Sequence, residues 1–229
     1  MNQNIDKNKK IIIVGDSAFA EIAHLYFSED SKYEVVAFSV ERKYLKSKEF
    51  KGLPVYPFEE LDSILNPSEY YIFVAIAYNN FNRTRKRLVG ESKDKGYKLA
   101  SYISKKAFIA SNAEIGEHCF IFENNTVQPF VKIFDNVILW SGNHIGHHSK
   151  ISSNCFLSSQ VVVSGYCSVG KNSFVGVNST ISNNIEIGCD NWIGPNSLIS
   201  KNTDDNSLFN SDNTVPSKIQ AKRFFKIKE

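Results

Sequence analysis

Two hydrophobic rhythms divide the chain near residue 102. Before that point, short apolar runs alternate with amphipathic stretches. Residues 11–14 (IIIV) predict a buried strand that runs into Gly15-Asp16-Ser17 and then a helix over 18–27. Phe19, Ile22, Ala23, Tyr26 and Phe27 share one face of that helix. Residues 33–40 predict a second strand and 53–56 a short edge strand, where Pro54 is tolerable. A short helix over 59–65, a third buried strand over 71–77 and a charged helix over 82–95, stopped by Gly96, complete this half. The alternation predicts an α/β domain over 1–102, a small Rossmann-like parallel sheet with helices on its faces.

From Ile103 the period becomes six. Every sixth residue from Ile103 to Ile199 is aliphatic, 17 positions without a slip. The residue after it is often glycine (Gly116, Gly146, Gly170, Gly176, Gly188, Gly194), and the fourth after it is mostly small. Neither a 3.6-residue helix nor a hairpin meander has this period; a parallel β-helix does, each hexad adding a short strand and a corner. The aliphatic residues are expected to stack inside, the glycines to serve corners with unusual dihedrals, and the small residues to fill the remaining interior. Cys119, Cys155 and Cys167 fall at the small inward position and read as core filler. Residues 103–200 thus form a β-helix of about five coils, and 201–229 a tail.

Composition changes this picture little. The net charge of +3 gives no footprint for nucleic acid or an anionic membrane surface. The charge is nevertheless uneven: 11 charged residues over 103–200, against 30 over 1–102. That scarcity fits stacked coils. The apolar run at 11–14 is too short for a signal peptide, and no stretch approaches a membrane span, so a cytoplasmic location is the default.

The hexad resembles that of the hexapeptide-repeat acyltransferases, which implies that the β-helix is left-handed. IIIVGDSAFAE at 11–21, FVAIAYNNFNR at 73–83, ILWSGNHIGHHSKI at 138–151, VSGYCSVGKNSFVGVNSTI at 163–181 and VPSK at 215–218 extend the match. Together they resemble the sialic acid O-acetyltransferase-type family, which includes N-acetyltransferases of nucleotide-linked amino sugars. The resemblance implies transfer of an acetyl group from acetyl-CoA to an amine or hydroxyl of a sugar, in bacterial surface-glycan biosynthesis. It also implies a homotrimer with active sites between adjacent β-helices, and no metal.

Three of the five histidines lie within Gly142-Asn143-His144-Ile145-Gly146-His147-His148. In hexad register Ile145 is inside and His147 and His148 project from the corner, whereas His24 and His118 read as solvated bystanders. By resemblance His147 is the general base, since a neutral imidazole titrates in the right range. The backbone N–H of Gly165, one coil above, is the candidate oxyanion donor. His148 stands where N-acetyltransferases of this group have a glutamate. The resemblance assigns Gly15, Asp16, Ser17, Asn79, Asn80 and Arg83 to a sugar or nucleotide-sugar acceptor, with Asn143 and His144 beside the base. It assigns Gly165, Gly176, Gly194 and Lys218 to CoA, the lysine as a point charge for a phosphate. Two alternatives stay open: a metal-dependent hydratase of carbonic-anhydrase type using His144, His147 or His148 as ligands, and a non-catalytic trimeric scaffold.

Overall fold

The computed structural model describes residues 6–211 and 216–227. In the N-terminal half, β1 (Lys9–Val14), β2 (Tyr33–Val40), β3 (Glu49–Phe50), β4 (Leu53–Pro57), β5 (Tyr70–Val74) and β6 (Lys98–Leu99) form one sheet in the order β3-β4-β2-β1-β5-β6. All neighbours are parallel except β3 with β4. The edge expected at β4 is therefore taken by the two-residue strand β3. Helices α1 (Ala18–Asp30), α2 (Leu61–Ile64) and α3 (Arg83–Asp94) connect the strands. The strand order runs outward from β1 both ways, to β2 and β4 on one side and to β5 and β6 on the other, and that reversal of order is the switch point at which open α/β sheets bind ligands.

The hexads fold as read. Seventeen two-residue strands, β7 (Tyr102–Ile103) to β23 (Leu198–Ile199), follow one another every six residues, and β24 (Leu208–Phe209) adds a last rung. They stack into three parallel sheets of seven, six and five strands, each strand paired with the one 18 residues on, as Phe120 is with Tyr102 and Ile138, save the last rung, where Leu208 pairs with Trp192 16 residues before it. The aliphatic residues line one continuous core from Ile121 to Ile199, with Cys119, Cys155 and Cys167 buried among them as free thiols. Burial pushes the thiols of Cys119 and Cys155 up to about 12, so they hold their protons as core atoms.

The glycines have a different job from the one expected. None of the six that follow an inward aliphatic residue has a positive φ. A Cβ on Gly146 would lie 2.5 Å from the carbonyl carbon of Ser164, and one on Gly176 2.5 Å from the nitrogen of Pro195. These glycines let one coil approach the next. Left-handed backbone falls instead on the third residue after the aliphatic one: every sixth residue from His118 to Asn196 has φ between 54° and 77°, and half of these 14 are asparagine. Asparagine tolerates that region because its short side chain bonds locally.

One face of the β-helix is covered. Tyr102, Phe120, Ile138, Phe156 and Phe174 point outward from its first sheet, yet they are buried with Phe19, Ala23, Phe27 and Phe73 of the N-terminal domain. Phe27 meets Phe120 edge-on at 5.7 Å, and Phe156, Phe174 and Trp192 stack beneath Tyr78. At the adjoining corner His118 is fully buried, a correction to its reading as a bystander. Its Nε2 accepts the Val74 N–H at 2.8 Å and its Nδ1 meets Asn136 Oδ1 at 2.9 Å. The ladder continues through Asn154, Asn172 and Asp190, and ends on Arg83.

Candidate active site

Two corners of the β-helix matter here: the covered one under the N-terminal domain, and the one between the second sheet (β8, Phe108–Ile109, to β23) and the third (β9, Glu114–Ile115, to β21, Glu186–Ile187). His147 and His148 lie at the second, both exposed. Their Nδ1 atoms face each other at 3.1 Å with the rings at 89°. The His147 backbone N–H donates to Gln128 Oε1 at 2.9 Å, which fixes the turn beneath the ring. Directly above, Gly165 leaves the space that the imidazole fills: a Cβ there would lie 2.8 Å from His147 Cε1 and 2.9 Å from Nε2. The Gly165 N–H itself, the expected oxyanion donor, donates to Asn183 Oδ1 at 3.0 Å. Gly165 is thus a neighbour of the base through its missing side chain, while its donor is already engaged.

His144 and Asn143 are not part of the corner. His144 is in β14 (His144–Ile145), half-buried on the flat second sheet between Thr126 and Val162. Asn143 is buried inside the coil, where Nδ2 donates to Trp140 O at 2.6 Å and Oδ1 accepts the Val161 N–H at 2.7 Å. Its amide is consumed by the fold and cannot contact a substrate. Two histidines, not three, make the corner. Among the described residues, no three His, Cys, Asp or Glu side chains are grouped so as to hold a metal ion.

The residues assigned to CoA lie in two columns. Gly176 and Gly194 are stacked on successive coils beside the first sheet, whereas Gly165 belongs to the open corner. Lys218 is exposed in the tail, and Val215 lies outside the described residues.

In the N-terminal domain a cleft of about 370 Å³ opens at the switch point. Gly15 (φ +124°), Asp16 and Ser17 form its floor between β1 and α1, and Asn79 and Glu41 line its sides. A Cβ on Gly15 would press on the Ala75 carbonyl at 3.0 Å, so the turn admits only glycine comfortably. Ser17 is the N-cap of α1 but makes no side-chain capping bond, which leaves its hydroxyl for another partner. Asn80 and Arg83 do not join the cleft; they line a separate hollow along α3. Arg83 reaches across to the β-helix and pairs with Asp190 at 2.5 Å, so its charge serves domain docking. The segment Ser39-Val40-Glu41 after the second strand reads from the sequence as lacking the acidic residues expected there, yet Glu41 itself reaches the cleft, where Arg87 holds it at 3.0 Å.

No protein-family model and no curated protein matches the chain. Solved structures do. The acetyltransferase domain of PglB from Neisseria gonorrhoeae superposes with a TM-score of 0.79 at 22% identity, over 88% of this chain and 96% of that one. That domain is also solved in complex with acetyl coenzyme A. PerB from Caulobacter crescentus, in complex with CoA and GDP-perosamine, gives a TM-score of 0.76 at 22% identity, over 87% and 92% of the two chains. WeeI from Acinetobacter baumannii gives 0.59 at 17% identity, over 88% and 96%. At these identities the likeness is one of fold. An α/β domain followed by a left-handed parallel β-helix, the class expected from the sequence, is the architecture they share.

Proposed function

We propose that the protein transfers the acetyl group of acetyl-CoA to an amino or hydroxyl group of a sugar, with His147 as general base. The observation that carries this reading is the exposed His147 imidazole, bonded through Nδ1 to His148 and given room by Gly165. Acetyl-CoA supplies the thioester. The chain's part is to hold a bare Nε2 where an attacking amine or hydroxyl loses its proton, and to return that proton to the departing thiolate. With the Gly165 N–H bonded to Asn183, an oxyanion donor would require that bond to open or another group to serve. The bare backbone beside Gly176 and Gly194 suits the pantetheine arm, and Lys218 suits a CoA phosphate.

The cleft at Gly15, Asp16, Ser17 and Asn79 suits the acceptor. Backbone N–H groups at the start of α1 favour a phosphate, and Glu41 can accept ribose hydroxyls. The GDP-perosamine bound to the Caulobacter enzyme makes a nucleotide-linked amino sugar the first acceptor to try. A homotrimer would bring a second β-helix against the open corner, and a cytoplasmic location accords with such substrates.

The test is release of free thiol from acetyl-CoA by the purified protein across nucleotide-linked amino sugars and free sugars. Acceptor-dependent release is expected, falling about 10²- to 10⁴-fold in His147→Ala. No release with any acceptor, or release that His147→Ala leaves unchanged, sinks the assignment.

A further inference from the structure

The left-handed position of the hexad holds asparagine, aspartate or glycine in nine of its 14 occurrences from His118 to Asn196, but at the corner that carries His147 only Asn184 keeps to that rule. There Phe130 (φ 66°), His148 (φ 60°) and Tyr166 (φ 58°) occupy it on three successive coils, 18 residues apart. Positive φ disfavours bulky side chains, so an aromatic column here runs against the backbone's own preference. Within the single chain burial does not offset that cost, since Phe130 and Tyr166 are each 56% exposed. His118 and Gln160 carry the same backbone singly, but only here do three bulky rings carry it on successive coils, and that concentration of strain points to a site.

The three rings form a sandwich. His148 stacks on Phe130 at 4.6 Å and 24°, and on Tyr166 at 4.7 Å and 15°. Tyr166 also meets His147 edge-on at 5.0 Å. The His148 ring plane is therefore fixed from both sides, with Nδ1 aimed at Nδ1 of His147 at 3.1 Å. Only one of two facing nitrogens can carry the proton between them. If His147 keeps a bare Nε2, its proton is on Nδ1; His148 must then offer a bare Nδ1 and carry its own proton on Nε2.

We propose that Phe130 and Tyr166 are positioning residues: they clamp His148 so that its unprotonated Nδ1 receives the Nδ1–H of His147 and thereby selects the tautomer of the base. The inference rests on the reading of His147 as base, but its physical content, two fixed tautomers, belongs to the free protein.

Nitrogen-15 NMR of the imidazoles in the full chain tests it, beside thiol-release kinetics with acetyl-CoA and the best acceptor found. The variants are Tyr166→Phe and the double Phe130→Gly/Tyr166→Gly, glycine being at ease at positive φ. In the wild type and in Tyr166→Phe, His147 should carry its proton on Nδ1 and His148 on Nε2. In the double glycine variant both rings should revert to the tautomer mixture of a free imidazole. There kcat should fall by up to about 100-fold, with KM for acetyl-CoA unchanged. Wild-type His147 protonated on Nε2, or a double variant that keeps both tautomers, overturns the clamp whatever the kinetics show. Fixed tautomers lost in the double variant, in a protein that releases no thiol, would uphold the clamp and sink the transferase reading alone.

Discussion

His118 and His148 occupy the same place in the hexad, with the same left-handed backbone (φ 54° and 60°), and they have opposite fates. Over His118 lies the N-terminal domain. Val74 donates to Nε2, Asn136 Oδ1 takes the proton on Nδ1, and the ring stacks on Phe73 at 4.6 Å. Burial, with the Arg85 guanidinium nearby, pushes its pKa down to about 3. At His148 no second element among the described residues covers the ring. It is exposed between two aromatic rings and faces a second imidazole. The repeat sets the backbone of both corners; what lies over each decides whether an imidazole becomes structure or chemistry.

The sharpest way to break the covered corner is Arg85. The side chain is fully buried, and its hydrogen-bond partners are Asn136, Asn82 and the carbonyls of Ile76, Ala77, Asn136, Asn154 and Cys155. Burial pushes its pKa down to about 10, which leaves it charged at neutral pH. One guanidinium on α3 thus joins the segment after β5 to two coils. Arg85→Leu strands several buried carbonyls at once, and urea unfolding should show a loss of about 3–5 kcal/mol. A loss below about 1 kcal/mol would mean that the network is incidental to docking. The same measurement on Phe130→Gly/Tyr166→Gly should show far less, because those rings bury little.

Acid should open the covered corner as well. His118 is neutral in the folded chain down to a pKa of about 3 but titrates near its ordinary 6.5 when unfolded. Below that value the unfolded state binds a proton that the folded state refuses, so stability falls as pH falls. The slope for one histidine approaches about 1.4 kcal/mol per pH unit. His24, half-buried against Phe38, is lowered by burial too and adds in the same direction. Unfolding measured between pH 7 and 5, above the main carboxylate range, should be pH-dependent in the wild type and much flatter in His118→Asn. A wild-type stability that is level over that window would contradict the neutral, doubly bonded imidazole.

Much of this contrast was legible in the sequence at a period that the hexad hides. Stepping by 18 from Tyr102 gives Phe120, Ile138, Phe156, Phe174 and Trp192, a run of large apolar residues at outward positions. The equivalent steps on the second sheet give Phe108, Thr126, His144, Val162, Thr180 and Leu198, and on the third Glu114, Lys132, Lys150, Ser168 and Glu186. The covered face announces itself once the coil, rather than the hexad, is taken as the unit. Asn143 was equally readable: it is the fourth residue after inward Leu139, the small interior position, and it is buried there as Asn125 and Asn191 are. The engagement of the Gly165 N–H was not readable, because nothing in the repeat says that Asn183 would turn its side chain to the coil below. Nor was the pairing of Arg83 with Asp190, which depends on how two separately legible domains dock.

The glycines supply the finest test of the two regions, because two similar residues on neighbouring coils should fail differently. An alanine Cβ at Gly176 meets backbone, Pro195 N at 2.5 Å and Gly194 C at 2.6 Å, which cannot move without parting the coils. At Gly165 the three nearest atoms all belong to the His147 ring, which can swing into solvent. Gly176→Ala should therefore cost about 1–3 kcal/mol as an overpacked core does. Gly165→Ala should stay within about 1 kcal/mol of the wild type, since a side-chain rotation relieves its clash. Its effect should appear instead in thiol release and in the imidazole tautomers, because the swing breaks the 3.1 Å contact with His148. Equal destabilisation by the two alanines, with the His147 tautomer undisturbed, would show that Gly165 serves coil spacing like the others and that the room over the base is a by-product of the repeat.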